Sequence, residues 1–307
     1  MKNPEMFSSV DAITQQRLAR RQFLARAGVI SLGTAAGLTL SARLGSAEGR
    51  DSPAESAQET AQAKDTVKEI FTAALIAEDL ASTFYYNGLV GPVIQDPNLA
   101  GPGGSATNVS NSGNAGNVNY LQAALTQELQ HGQLFRSLLG ISQGSQDPVQ
   151  TFYFPAGTFD TLSAFTGLLN ALENAFIGAY LNAIQEFATK SAQKRDRDGS
   201  WHDSGDSGDK DYTAEQLDYY AKVAASIMGV ESEHRVLGRV ISNSNPANNL
   251  AYETTDGLNA VYNGSKSAVA ALTPFLSSST GPGYPLATVF SQQSTVSLPI
   301  SGGPPAF

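Results

Sequence analysis

The chain has 307 residues, no cysteine, 41% hydrophobic and only 15% charged residues, which excludes a disordered protein, disulfides, thiolate metal sites, Fe–S clusters and a cysteine nucleophile. Its first 47 residues carry six basic side chains against two acidic ones, a net of +4, which leaves −13 on the rest of a chain whose total is −9. An acidic body of that kind argues against nucleic acid and anionic membranes as partners.

Residues 17–26 read Arg-Leu-Ala-Arg-Arg-Gln-Phe-Leu-Ala-Arg, and Arg20-Arg21 followed by Phe23-Leu24 resembles the twin-arginine export motif. A mild apolar run over 27–42 and the small residues Gly45-Ser46-Ala47 complete a signal peptide spanning 1–47. The run is too short and too weak for a stable membrane span. The expected location is therefore periplasmic or extracellular, with the twin-arginine machinery as a partner that carries folded cargo. Residues 48–63, rich in Ala, Ser, Glu and Gln, read as a disordered spacer.

Four segments with helical periodicity follow, and 64–243 reads as one bundle. The first, 65–87, places Phe71, Leu75, Glu78, Ser82 and Tyr85 on one stripe. The second, 118–139, aligns Leu121, Leu125, Glu128, His131, Phe135 and Leu138. The third, 161–190, aligns Leu162, Leu169, Glu173, Phe176, Tyr180, Ile184 and Phe187. The fourth begins after Thr213, which forms a capping box with Gln216, and reaches about Ile241 with Ile227, Glu231, His234 and Leu237 in phase. The linker 88–117 is dense in Gly, Asn, Pro and Ser and reads as a long loop. The linker 140–160 is long enough, at ~3.3 Å per extended residue, to run the length of a helix and leave the second and third helices parallel. The segment 191–212 is acidic. A calcium-loop register from Asp203 puts Ala214 where the closing Glu belongs, so a solvated loop is expected. The C-terminal extension, 244–307, reads as a short helix over 265–273 ended by Pro274, then an extended tail that wraps the bundle.

The chemistry sits in two Glu-x-x-His motifs. The second helix carries Glu128-Leu-Gln-His131 and the fourth carries Glu231-Ser-Glu-His234. Residues three apart on a helix share a face, so each carboxylate and imidazole can reach one ion together. The first and third helices each add one glutamate, Glu78 and Glu173, to an apolar stripe, where an unpaired carboxylate would be costly. Four buried carboxylates need cations, and two divalent ions supply four positive charges. The order Glu, Glu-x-x-His, Glu, Glu-x-x-His is that of di-iron and di-manganese carboxylate bundles. His202, in the acidic loop, is not expected to be a ligand, and Glu186 and Glu233 read as surface residues.

On these residues the chain resembles the ferritin-like superfamily over about 65–241, and more narrowly the exported ferritin-like proteins related to the desiccation-related group. The resemblance implies an all-α, ferritin-like four-helix bundle with a long crossover between the second and third helices, plus a C-terminal extension. It implies a metal site of Glu78, Glu128, His131, Glu173, Glu231 and His234 holding two Fe or Mn ions. Glu78 and His131 would bind one ion and Glu173 and His234 the other, with Glu128 and Glu231 bridging. The ligand set does not choose between iron and manganese. Tyr85 and Tyr180, each seven residues after a ligand glutamate, are either hydrogen-bond donors or redox phenols beside the site, or ordinary core aromatics. Oxidase, ferroxidase or peroxide-dismutating activity on O2, peroxide or Fe(II) in stress protection is one reading. A non-catalytic metal-binding or stress-protective envelope protein is the alternative. The long linkers argue against a storage shell, and a helical interaction module with incidental histidines predicts no bound metal.

Overall fold

The computed structural model describes residues 65–195, 209–244 and 268–298. The expected signal peptide and spacer, His202, most of the acidic loop and the first part of the expected short helix lie outside these residues.

Four long helices are present among the described residues. α1 spans Val67–Val90, α2 Ala115–Leu139, α3 Leu162–Arg195 and α4 Ala214–Ile241. Capping residues explain three of the starts. Thr66 and Glu69 form a capping box on α1, Asn114 accepts from Asn117 N on α2, and Thr213 with Gln216 boxes α4 as expected. α2 ends at Gly140, whose φ of 66° is left-handed backbone that glycine adopts without strain.

Three boundaries differ by three residues or more from the sequence reading, and the largest difference is at the end of α3, which runs five residues past 190 to Arg195. α1 continues three residues into the expected loop, because Gly88 is not loop punctuation but a close-approach residue. A Cβ there would sit 2.4 Å from the Phe165 ring. α2 starts three residues early because Asn114 supplies its cap. The linker between them also holds a short 3-10 turn, Pro92–Gln95.

α1 packs mainly on α2, and α3 on α4. Phe71 meets Phe135 while Glu78 meets His131, so α1 and α2 run in opposite directions. Tyr85 reaches Glu173 while Tyr180 reaches Glu78, so α1 and α3 are antiparallel too. α2 and α3 are therefore parallel, and residues 140–161 make the expected crossover.

The crossover contains β1, Thr151–Tyr153, paired antiparallel with β2, Gly283–Pro285, in the register Thr151↔Pro285, Phe152↔Tyr284 and Tyr153↔Gly283. The tail is not simply extended. After α5 (Ala268–Leu272) and a 3-10 turn at Thr273–Leu276 that takes in Pro274, β2 leads into α6, Leu286–Gln292. Leu286 and Val289 are buried on α6, which gives that helix a reason to form despite its polar surroundings.

Two apolar clusters fill the bundle. One holds Phe84 stacked on Phe165 at 4.6 Å, with Phe152, Phe154, Phe159, Leu172 and Leu237. The other holds Phe71, Leu75, Phe135, Phe187 and Ile227. On each long helix, the charged residues described next lie where the two clusters meet. No helix among the described residues is long and apolar enough to cross a membrane.

Candidate metal centre

All six residues singled out from the sequence converge inside the bundle. Glu78, Glu128, Glu173 and Glu231 are at most 2% exposed, and His234 is buried beside them. His131 is the most open of the six, at 13%.

The helical spacing explains the convergence. α2 delivers Glu128 and His131 from adjacent turns of one face, and α4 delivers Glu231 and His234 in the same way, antiparallel to α2. His131 Nδ1 lies 3.2 Å from Glu78 Oε2, 3.4 Å from Glu231 Oε1 and 3.7 Å from Glu128 Oε2. His234 Nδ1 lies 2.8 Å from Glu128 Oε1 and 3.3 Å from Glu231 Oε2. Donor atoms fall into two groups, each within 4.8 Å: Glu78, Glu128, His131 and Glu231 in one, and Glu128, Glu173, Glu231 and His234 in the other. Glu128 and Glu231 belong to both.

Residues 66–195 match a ferritin-like domain. No curated protein and no solved structure matches the chain. The matched span of the ferritin-like domain covers α1 to α3, while Glu231 and His234 come from α4, which packs against α3 beyond it.

The two tyrosines exchange helices. Tyr85, on α1 with Glu78, donates to Glu173 Oε1 at 2.6 Å, and Tyr180, on α3 with Glu173, donates to Glu78 Oε1. They are thus hydrogen-bond partners of the carboxylates, each holding the glutamate of the opposite helix. Sequence spacing placed each on its own helix's glutamate face but could not show that it reaches across.

Hydrogen bonding is incomplete in a telling way. Both oxygens of Glu128, Glu173 Oε2 and Glu231 Oε1 are buried and accept no hydrogen bond. Unsatisfied buried carboxylate oxygens are expensive, and here all of them belong to residues of the two donor groups. This donor set, four carboxylates and two imidazole nitrogens, fits metal ions.

Electrostatics without a cation are strained. Burial, reinforced by neighbouring carboxylates, pushes Glu173 well above the usual carboxylate range. Burial does the same to Glu78 despite the pull of His131. Burial would also raise Glu128, but the charge of His234, whose Nδ1 is 2.8 Å away, brings it below its ordinary value. Burial would lower His131 and His234, yet the surrounding carboxylates, Glu78 foremost for His131 and Glu128 for His234, raise both. These shifts share one cause, negative charge crowded into a buried space, which favours any cation or proton bound there.

Two supporting arrangements had no sequence signature. His234 Nε2 lies 2.8 Å from Gln127 Oε1. Next to Glu78, Asp79 receives Arg136 Nη2 at 2.5 Å, and Arg136 Nε donates to Asp147 Oδ1 of the crossover at 2.6 Å. All three are buried, and burial lifts Asp79 to about 7 against the pull of Arg136. Arg136 also lies 4.9 Å from the Phe290 ring of α6, so one guanidinium ties α1, the crossover and the tail together. Of the two surface expectations, Glu233 is exposed and Glu186 is half-buried.

Proposed function

We propose that the chain is an exported dinuclear iron or manganese protein that acts on O2, peroxide or Fe(II) in stress protection. The observation that carries this reading is the pair of four-residue donor groups sharing Glu128 and Glu231. Glu78 and His131 would hold one ion and Glu173 and His234 the other, with Glu128 and Glu231 within reach of both. Bound iron or manganese would supply one-electron redox steps and open coordination positions for an oxygen substrate.

The protein's own part is positioning and protection. Tyr180 and Tyr85 each hold one terminal glutamate by its Oε1. The apolar clusters on either side exclude bulk water, which strengthens every charge interaction in the cluster. His131 is the one ligand side that faces solvent appreciably, so small molecules would arrive there. The twin-arginine reading supports loading in the cytoplasm and function in the periplasm or outside the cell.

The same burial favours a second reading, a metal-binding protein without turnover, since at most 2% of each carboxylate residue is accessible. Elemental analysis of the purified protein tests the shared core of both. Two Fe or Mn per chain are expected, falling to none in Glu128→Ala/Glu231→Ala. A purified chain with no metal that takes up none on reconstitution would defeat both. Peroxide consumption or O2 uptake by the loaded protein then separates the first from the second.

A further inference from the structure

The cluster has an approximate two-fold pattern. Glu78 and Tyr85 on α1 correspond to Glu173 and Tyr180 on α3, and Glu128/His131 on α2 correspond to Glu231/His234 on α4. The pattern breaks behind the imidazoles. Directly before Glu128 stands Gln127, whose Oε1 lies 2.8 Å from His234 Nε2. Directly before Glu231 stands Val230, which has no side-chain acceptor. His131 Nε2 has no hydrogen bond among the described residues, and His131 is 13% exposed against 4% for His234.

We propose that Gln127 is a positioning residue that makes the two metal positions unequal, the Glu173/His234 position binding more tightly and more rigidly than the Glu78/His131 position. The inference rests on the dinuclear reading above. An amide oxygen can only accept, so His234 Nε2 carries its hydrogen toward Gln127, and its Nδ1 is the nitrogen presented to Glu128 and Glu231. The ring is thereby fixed in orientation, with Nε2–H on Gln127 whether or not Nδ1 carries a proton before an ion arrives. Outer partners of this kind typically contribute about 10- to 100-fold in metal affinity. His131 also presents Nδ1 to the carboxylates, but nothing anchors the far side of its ring. Its position gives up and exchanges its ion more readily, and it is the position on the solvent side.

The test loads the full chain with Co(II) alone and follows the hyperfine-shifted imidazole N–H resonances by NMR, together with the stepwise binding constants. Wild type is expected to bind two cobalt ions in unequal steps, with one N–H exchanging slowly with water and the other fast. Gln127→Leu, of similar size, should turn the slow resonance fast and weaken the tighter step about 10- to 100-fold while leaving the other step unchanged. Gln127→Glu, which keeps an acceptor, should retain both the slow resonance and the tight step. Two bound cobalt ions with equal steps and equal exchange, or a Gln127→Leu protein unchanged in both readouts, would overturn the role of Gln127 alone. A chain that binds no cobalt would remove the dinuclear reading and this inference with it.

Discussion

Gly132 offers a sharp test of how the site is buttressed. It lies on α2 one residue after His131, and the Arg136 side chain passes over it on the way to Asp79. A Cβ at 132 would stand 2.7 Å from Arg136 Nη1 and 3.4 Å from Asp79 Oδ1. The guanidinium cannot step aside, because Asp79 and Asp147 hold it at 2.5 and 2.6 Å inside the protein. In an open helix, Gly→Ala gains about 1 kcal/mol. Breaking a buried ion pair costs about 3–5 kcal/mol. The second effect wins, so Gly132→Ala should lose about 2–4 kcal/mol, or ~4–16 °C in Tm at ~2–4 °C per kcal/mol for a chain of this size. Thermal and urea unfolding of metal-free protein measure it. In an Arg136→Ala background the methyl has room, and the same change should instead gain about 1 kcal/mol. A Gly132→Ala protein as stable as its parent would show that the close approach is not a constraint and refute the reasoning.

Metal loading should release protons, since Glu78, Glu173, His131 and His234 are all raised in the metal-free cluster. Protons compete with cations for these atoms, so affinity should climb as pH rises and fall as it drops, and a pH-stat titration showing no net release would contradict the cluster's electrostatics. Tyr85→Phe removes the donor to Glu173 Oε1 and leaves neither oxygen of that residue hydrogen-bonded. A loss of about 1–3 kcal/mol in urea unfolding of the metal-free protein is expected. Leu286→Ala, at the buried start of α6, should cost about 2–5 kcal/mol and expose the tail to limited proteolysis before the bundle.

The bundle and its six inward residues were legible because they obey one rule: a 3.6-residue period that puts Glu-x-x-His on one face and repeats on four segments. The same period could not reveal Gly88 as helical, since its reason is the Phe165 ring from another helix. Nor could it reveal α6, which is only seven residues long and rests on Leu286 and Val289 meeting the core. Gln127 and the Asp79–Arg136–Asp147 chain were invisible for a related reason. Gln127 to His234 and Asp79 to Arg136 are contacts between helices distant in sequence, and glutamine or arginine on a helix ordinarily faces water.

The ribbon between crossover and tail has a consequence for biosynthesis. Its strands, and the nearby hydrogen bond from Tyr86 to Gln292 across 206 residues, join segments that are translated far apart in time. Until residues 283–285 have emerged from the ribosome, Thr151–Tyr153 is an unpaired edge and Phe154 lacks its contact with Tyr284, an aggregation hazard for that interval. Closing so long a loop is slow, and this end of the bundle is completed only once residues 283–292 have been made. A chain that lost its last few dozen residues would therefore keep all six acidic and imidazole side chains of the cluster yet leave that end of the bundle unsealed.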